Sequence, residues 1–282
     1  MKKKYAIPVT VLGFVLVVVT GMVLRFFGFS FSFGFKGQSR DEIDITTYGT
    51  NAEIRDDTKS IEECSADEVI YICNTKLKDM LGYHATITGS VSALGGMYTQ
   101  TVSGEEYFGT GGAVYITKST SAFVSVGKKI FIDNNGKVFI RDAENVKKNT
   151  WKEDLIEYNY EDYIIDYGID FRDLTNYVIN EQTIKSASLV GVANSVYTYS
   201  IELDEEKATL GYRVNMAKMG DLSSLPEFNS CRFEISLNEN FEPLKISCYD
   251  NYRVEKLGGI TCSSVLTITF DIINEAVEIP SI

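Results

Sequence analysis

From Tyr83 onward the chain keeps a period of two. Tyr83, Ala85, Ile87, Gly89, Val91 and Ala93 alternate with His84, Thr86, Thr88, Ser90 and Ser92, which gives one apolar face and one hydroxyl-rich face. Gly95-Gly96, Gly111-Gly112, Gly127 and Asn135-Gly136 then punctuate a succession of short segments. Asn135-Gly136 is the strongest turn among them, because a type I′ hairpin needs positive φ at both central residues. The alternation returns in Tyr197, Tyr199, Ile201 and Leu203, and again in Cys231, Phe233, Ile235 and Leu237. Two further runs follow, Leu244, Ile246, Cys248, Tyr252 and Val254, then Ile260, Cys262, Leu266, Ile268 and Phe270. Such a chain is confined to a large antiparallel sheet with local connections, and the few helical stretches make the fold class α+β.

Several strands are apolar on both faces. Ala113-Val114-Tyr115-Ile116, Ile130-Phe131-Ile132 and Val138-Phe139-Ile140 leave neither side suited to water, whereas an antiparallel sheet usually keeps one wet face. Either helices cover both sides, or one side lines an apolar cavity. For the cavity, the inward aromatics Tyr115, Phe123, Phe131 and Phe139 are the candidate lining.

Two helices are predicted. Ser65-Ala66-Asp67-Glu68 has capping-box form, followed by Val69, Ile70, Cys73, Leu77, Met80 and Leu81 at helical spacing, with Gly82 as the stop. A second helix starts at Asp204, with Glu205 and Glu206 favourable against its dipole. Ala208, Tyr212, Met216 and Met219 then share one face before Gly220. Tyr212 and Met216 join the candidate lining, although methionine at helical spacing also serves as ordinary core. The acidic, tyrosine-rich residues 151–188 read as short helices, including 171–179, laid over the sheet. Tyrosine suits such a cover because it joins an apolar body to a wet tip.

The uncharged run 5–24, YAIPVTVLGFVLVVVTGMVL, follows Lys2-Lys3-Lys4. About 20 residues at ~1.5 Å each give roughly the 30 Å of a bilayer's hydrocarbon core. Residues 1–4 are therefore expected in the cytoplasm and 5–24 as a single transmembrane anchor at the plasma membrane, with the rest extracytoplasmic. A cleaved signal peptide is the competing reading; no Ala-x-Ala exit follows the run. Residues 25–60 form a juxtamembrane patch and linker, in which phenylalanines alternate with Gly and Ser up to Phe35. Residues 61–282 form the folded domain.

Five of the 27 basic residues lie in residues 1–36 and all 39 acids lie beyond them, so the rest of the chain carries a net charge of −17. That argues against a nucleic-acid partner, whose binding needs clustered positive charge on the protein. His84 is the single histidine, and it falls on the polar face of the first strand. The cysteines lack CxxC spacing and there is no Gly-x-Ser-x-Gly elbow, so no catalytic residue, metal or cofactor is assigned. Five cysteines leave at least one unpaired within the chain. A four-residue loop at 238–241 would set Cys231 opposite Cys248, whereas a shift of two residues would stagger them. A Cys231–Cys248 disulfide and free buried thiols both remain open. A loop at 257–259 would set Cys262 opposite Val254.

The plan of one helix, a long meander, covering helices and final strands resembles the lipoprotein-carrier (LolA-like) superfamily. More narrowly, it resembles extracytoplasmic, membrane-anchored proteins of Gram-positive bacteria whose role is uncharacterised. Gly89 carries the resemblance, with the stretch from Tyr212 through Met219-Gly220-Asp221-Leu222 to Leu225-Pro226-Glu227-Phe228, the strand pair ending at Tyr252, and Glu278-Ile279-Pro280. The resemblance implies an incomplete β-barrel whose concave apolar face, capped by helices, binds acyl lipid or lipidated protein without catalysis. The chain lacks a lipidation cysteine and carries an apparent anchor, and a tethered domain cannot diffuse away with cargo. A cell-envelope sensor or interaction module that binds a partner protein is the alternative.

Overall fold

A computed structural model describes residues 43–55, 58–121, 125–160, 162–163, 175–220, 222, 224–255 and 259–281. The anchor, the Phe-rich patch and Phe123 lie outside these residues. Among the described residues no helix is long and apolar enough to cross a membrane.

Among the described residues, twelve antiparallel strands form one sheet that does not close, as an incomplete barrel requires. The first group is β1 (Tyr83–Ala93), β2 (Tyr98–Gly109), β3 (Gly112–Thr120), β4 (Ser125–Ile132) and β5 (Lys137–Asn145). The short β6 (Thr150–Trp151) and β7 (Ile156–Asn159) both pair with β5. The second group is β8 (Ile184–Ala193), β9 (Val196–Leu203), β10 (Glu227–Leu237), β11 (Pro243–Val254) and β12 (Ile260–Ile273). Pairing of β1 with β12 joins the two meanders. Sequence reading missed β6, β7 and β8, which fall in or beside the stretch assigned to covering helices. Residues 175–179 form bends and irregular backbone rather than a helix; 164–174 lie outside the described residues.

The first helix forms where its capping box lies. Helix α1 (Ala66–Asp79) has Ser65 at its N-cap, and the Glu68 carboxylate accepts the Ser65 N–H at 2.9 Å. It ends at Met80, just short of Gly82. Val69, Ile70, Ile72, Cys73 and Leu77 are buried against the sheet's inner face; each large apolar one contributes about 1.5–3 kcal/mol. Helix α2 (Leu210–Gly220) starts later than expected. Asp204 caps a turn instead, accepting the N–H groups of Glu206 and Lys207 at 3.1 and 2.9 Å.

The turns also differ from the reading. At Asn135-Gly136 only Gly136 has positive φ. Asp133 N–H donates to Lys137 O at 2.9 Å and Gly136 N–H donates to Asp133 O at 3.2 Å, so the loop is a tight turn extended by one residue in the left-handed region. Asn194-Ser195, which closes β8 onto β9, has positive φ at both of its residues. The β10–β11 loop is longer than four residues and the pair slips accordingly. Cys248 lies opposite Phe233 and Cys231 opposite Asp250, which leaves the two cysteines staggered and unbonded. Cys262 lies opposite Tyr252 rather than Val254. Gly82 is required by close approach, since a Cβ there would stand 2.7 Å from the carbonyl oxygens of both Glu275 and Phe108.

Candidate functional site

Register assigns each strand residue to a face. Directly paired residues share a side, so the inner face of β1 (Tyr83, Ala85, Ile87, Gly89, Val91, Ala93) continues into Tyr98, Gln100, Val102, Gly104, Glu106 and Phe108 of β2. It passes on to Ala113, Tyr115, Thr117 and Ser119 of β3, then to Val126, Lys128, Ile130 and Ile132 of β4. On the other side it runs through Ser264 and Leu266 of β12 to Cys248, Asp250 and Tyr252 of β11. It reaches Cys231 and Phe233 of β10.

This parity splits the candidate lining. Tyr115 faces inward, whereas Phe131 and Phe139 pair directly on the opposite, outer face with ring centroids 6.2 Å apart. The two phenylalanines are therefore outer packing and not the lining of an inner cavity. They occupy odd positions in strands where Ile130, Ile132, Val138 and Ile140 take the inner side, a choice that doubly apolar runs leave undecided. In β3 to β5 the inner face is most apolar at one end, around Tyr115, Ile130 and Ile140. Farther along, the same face carries buried Gln100, Thr117, Ser119 and Lys128. Tyr212 and Met216 both reach the inner side through α2. Met216 is fully buried in the main core, and Tyr212 stands over β11.

A half-open slot of about 30 Å³ lies beneath Tyr212, room for one water-sized group. Val91, Val102, Leu266, Cys248 and Tyr252 supply its apolar and polarisable wall; Ser264 and Asp250 supply polar groups. Rings run in series around it. The Tyr177–Tyr212 centroids are 6.2 Å apart, Tyr212–Phe228 5.7 Å and Phe228–Tyr252 5.1 Å.

Asp250 organises this group. Tyr177 Oη donates to its Oδ1 at 2.6 Å and Ser264 Oγ donates to its Oδ2 at 3.0 Å. The Cys231 thiol is a third donor. Burial pushes the Asp250 carboxyl up to about 6, against those three hydrogen bonds. Tyr177 ties in the covering segment. That segment is held in turn by residues 48–52: Ile179 N–H donates to Asn51 Oδ1 at 2.7 Å, and Asn180 Nδ2 donates to Tyr48 O at 2.8 Å.

A second buried carboxylate, Glu106, accepts the hydroxyls of Tyr83 and of Tyr115, the latter at 2.6 Å. Burial raises it to about 7. Sequence reading missed both acids. Their signal was present, since each interrupts an inward-facing apolar stripe: Ile246, Cys248, Asp250, Tyr252 in one case and Val102, Gly104, Glu106, Phe108 in the other. His84 lies on the outer face as expected, its Nδ1 2.6 Å from Asp271 and its ring centroid 4.3 Å from that of Tyr107.

A larger hollow of about 270 Å³ lies at the C-terminal end of α1, between Ile54, Arg55, Asp79, Met80 and Glu242. Its charges pair among themselves: Arg55 bonds Asp79, and Lys78 nearby reaches Glu53 at 2.7 Å. Size alone does not make it the site, because its Arg55 and Asp79 are bonded to each other and Glu242 accepts from Asn238 and Asn274. No three His, Cys, Asp or Glu side chains among the described residues stand together as metal ligands.

No family model matches the chain, and neither does any curated protein. Among solved structures it is similar to a DUF1329 family protein from Desulfovibrio piger ATCC 29098, at 10% identity and a TM-score of 0.27. That match covers 77% of this chain and 96% of the other. It is also similar to an outer membrane lipoprotein-sorting protein domain from Vibrio parahaemolyticus, at 10% identity and a TM-score of 0.29, over 76% of this chain and 94% of the other. Neither bears on the narrower resemblance to Gram-positive proteins, and both are too distant to carry a function across.

Proposed function

We propose that the chain is a non-catalytic binding domain that holds an acyl lipid, or the acyl chain of a lipidated protein, against the inner face of its open sheet. The observation that carries this reading is how that face is covered. Separate local pieces, α1, residues 175–180 and α2, lie on it, and no strand pairing among the described residues closes it off. The slot beneath Tyr212 marks where α2 meets the sheet without filling it. In the closed form it admits a single water-sized group, so an acyl chain enters as α2 and Tyr212 lift. The lysines at 2–4 and the uncharged run 5–24 support attachment at the plasma membrane, N-terminus inside and domain outside.

The full chain, purified from a membrane-containing host, is the material for native mass spectrometry with lipid extraction. A bound acyl species that is lost when Val102→Phe fills the slot, with the circular dichroism spectrum unchanged, is the expected result. A clean apo mass with no uptake of added lipid would contradict the reading.

One observation favours a second reading, an envelope sensor or interaction module that captures a protein. Strand β8 ends the sheet, and Leu189, Val190 and Val192 on it are 49%, 57% and 55% exposed. An apolar sheet edge of this kind accepts an added strand.

A further inference from the structure

Asp250 has no positive charge facing it among the described residues. Taken element by element, it meets Cys231 from β10, Cys248 and Tyr252 from its own strand, and Ser264 from β12. Tyr177 reaches it from the covering segment and Tyr212 from α2. Val91 and Ser90 of β1 complete the slot. Its three hydrogen-bond donors, Tyr177, Ser264 and Cys231, are all neutral. A buried carboxylate without a counter-charge is costly, and neutral donors offset only part of that cost.

The surroundings fit one kind of counter-charge. Four aromatic rings, Tyr177, Tyr212, Phe228 and Tyr252, follow one another at 5.1–6.2 Å beside the carboxylate. Ring faces attract a cation within about 6 Å. The slot holds one small group, too little for a planar guanidinium. A hard metal ion would need several more oxygen ligands than one carboxylate and one serine. An ammonium has the right size and charge, and an alkyl stem behind it would lie along Val91, Val102 and Leu266.

We propose that the slot beneath Tyr212 binds the primary ammonium group of an alkyl-bearing ligand, paired with Asp250 and enclosed by Tyr212 and Tyr252. This rests on the reading of the inner face as the apolar-ligand face, and it adds the polar group that such a ligand carries. Asp250 supplies the charge, Ser264 Oγ accepts a further ammonium hydrogen bond, and the rings exclude water. Discrimination depends on Asp250 being ionised, so it weakens in acid while the ligand stays charged.

Hexylammonium, 1-hexanol and hexanoate share a chain length and differ only in the terminal group. Isothermal titration of the full-length protein in non-ionic detergent, at pH 7.5 and pH 5, compares the three. Hexylammonium is expected to bind at least tenfold more tightly than hexanol at pH 7.5, with hexanoate weakest, and to lose most of that advantage at pH 5. Asp250→Asn should abolish the preference while leaving hexanol binding in place. If that variant fails to fold, Tyr212→Leu serves instead, and should weaken hexylammonium several-fold more than hexanol. Equal binding of hexylammonium and hexanol at both pH values would overturn the ammonium site while leaving the apolar-ligand reading intact. Absence of binding by all three would count against both.

Discussion

Two carboxylates are buried on the same inner face and are put to different uses. Glu106 lies between adjacent strands, with Tyr83 of β1 and Tyr115 of β3 donating to it from either side of β2. Packing closes around it, because Tyr83 stacks on Phe108 and meets Phe270 edge-on, both at 5.5 Å. Asp250 takes donors from β10, from β12 and from a segment that is not part of the sheet. It also borders open space. The first acid pins strand to strand, and the second pins the cover to the sheet beside a slot. Burial with phenolic donors is common to both, so the distinguishing feature is what else reaches the carboxylate.

The comparison can be broken most forcefully with pH. Burial raises both acids in the folded state, Glu106 to about 7 and Asp250 to about 6, from ordinary values of 4.5 and 3.8. Each therefore contributes stability that is full below its unfolded value and is lost as pH rises through its folded value. At ~1.36 kcal/mol per pKa unit, each loss is on the order of 3 kcal/mol between about pH 4 and pH 7.5. Urea denaturation across that range should show stability falling as pH rises, with Glu106→Gln and Asp250→Asn each removing about half of the slope. A flat profile in the unmodified protein would mean that neither acid titrates differently in the folded and unfolded states.

Removing one donor from each acid separates their roles. Tyr115→Phe and Tyr177→Phe each leave a buried carboxylate short of a hydrogen bond, at a cost of about 1–3 kcal/mol. Hydrogen exchange should differ between them. Tyr115→Phe is expected to speed exchange in β2 and β3, whereas Tyr177→Phe should speed it in residues 175–183 with the sheet unaffected. Identical exchange patterns would erase the distinction.

Smaller effects belong to the outer face and the edge. Phe131→Leu should cost about 1 kcal/mol through the lost ring pair, with no change in ligand uptake, since the stack faces away from the slot. Val190→Lys on exposed β8 should change stability by less than about 0.5 kcal/mol. It should weaken any strand-adding partner in a pull-down from the envelope fraction, and unchanged capture would remove the edge from consideration.

Much of this fold was legible in the sequence because burial is one-sided. Alternation in Tyr83–Ala93 fixed the inner set of β1, and the capping box of Ser65 and Glu68 fixed the start of α1. Reading failed where the local pattern was compatible with two arrangements. Doubly apolar strands could not say whether Phe131 or Ile130 points inward, and only pairing with β3 and β5 decides it. The Cys231–Cys248 register depended on loop length, and the longer β10–β11 loop shifted it. Strand β8 was missed because an edge strand is exposed on most positions and shows little alternation. Helical spacing put Tyr212 and Met216 on one helix, where Tyr212 borders the slot and Met216 packs into the core; Asp250 and Glu106 were passed over as breaks in apolar stripes.

Ligand binding on the inner face under α2 can be located by site mapping. A fatty-acyl probe bearing a photoactivatable diazirine, loaded onto the full-length protein and irradiated, leaves adducts that peptide mass spectrometry can locate. Adducts on Tyr212, Cys248 and Leu266 are the predicted result. Adducts on the outer Phe131–Phe139 stack, or on Leu189 and Val190 of β8, with none beneath Tyr212, would contradict the account.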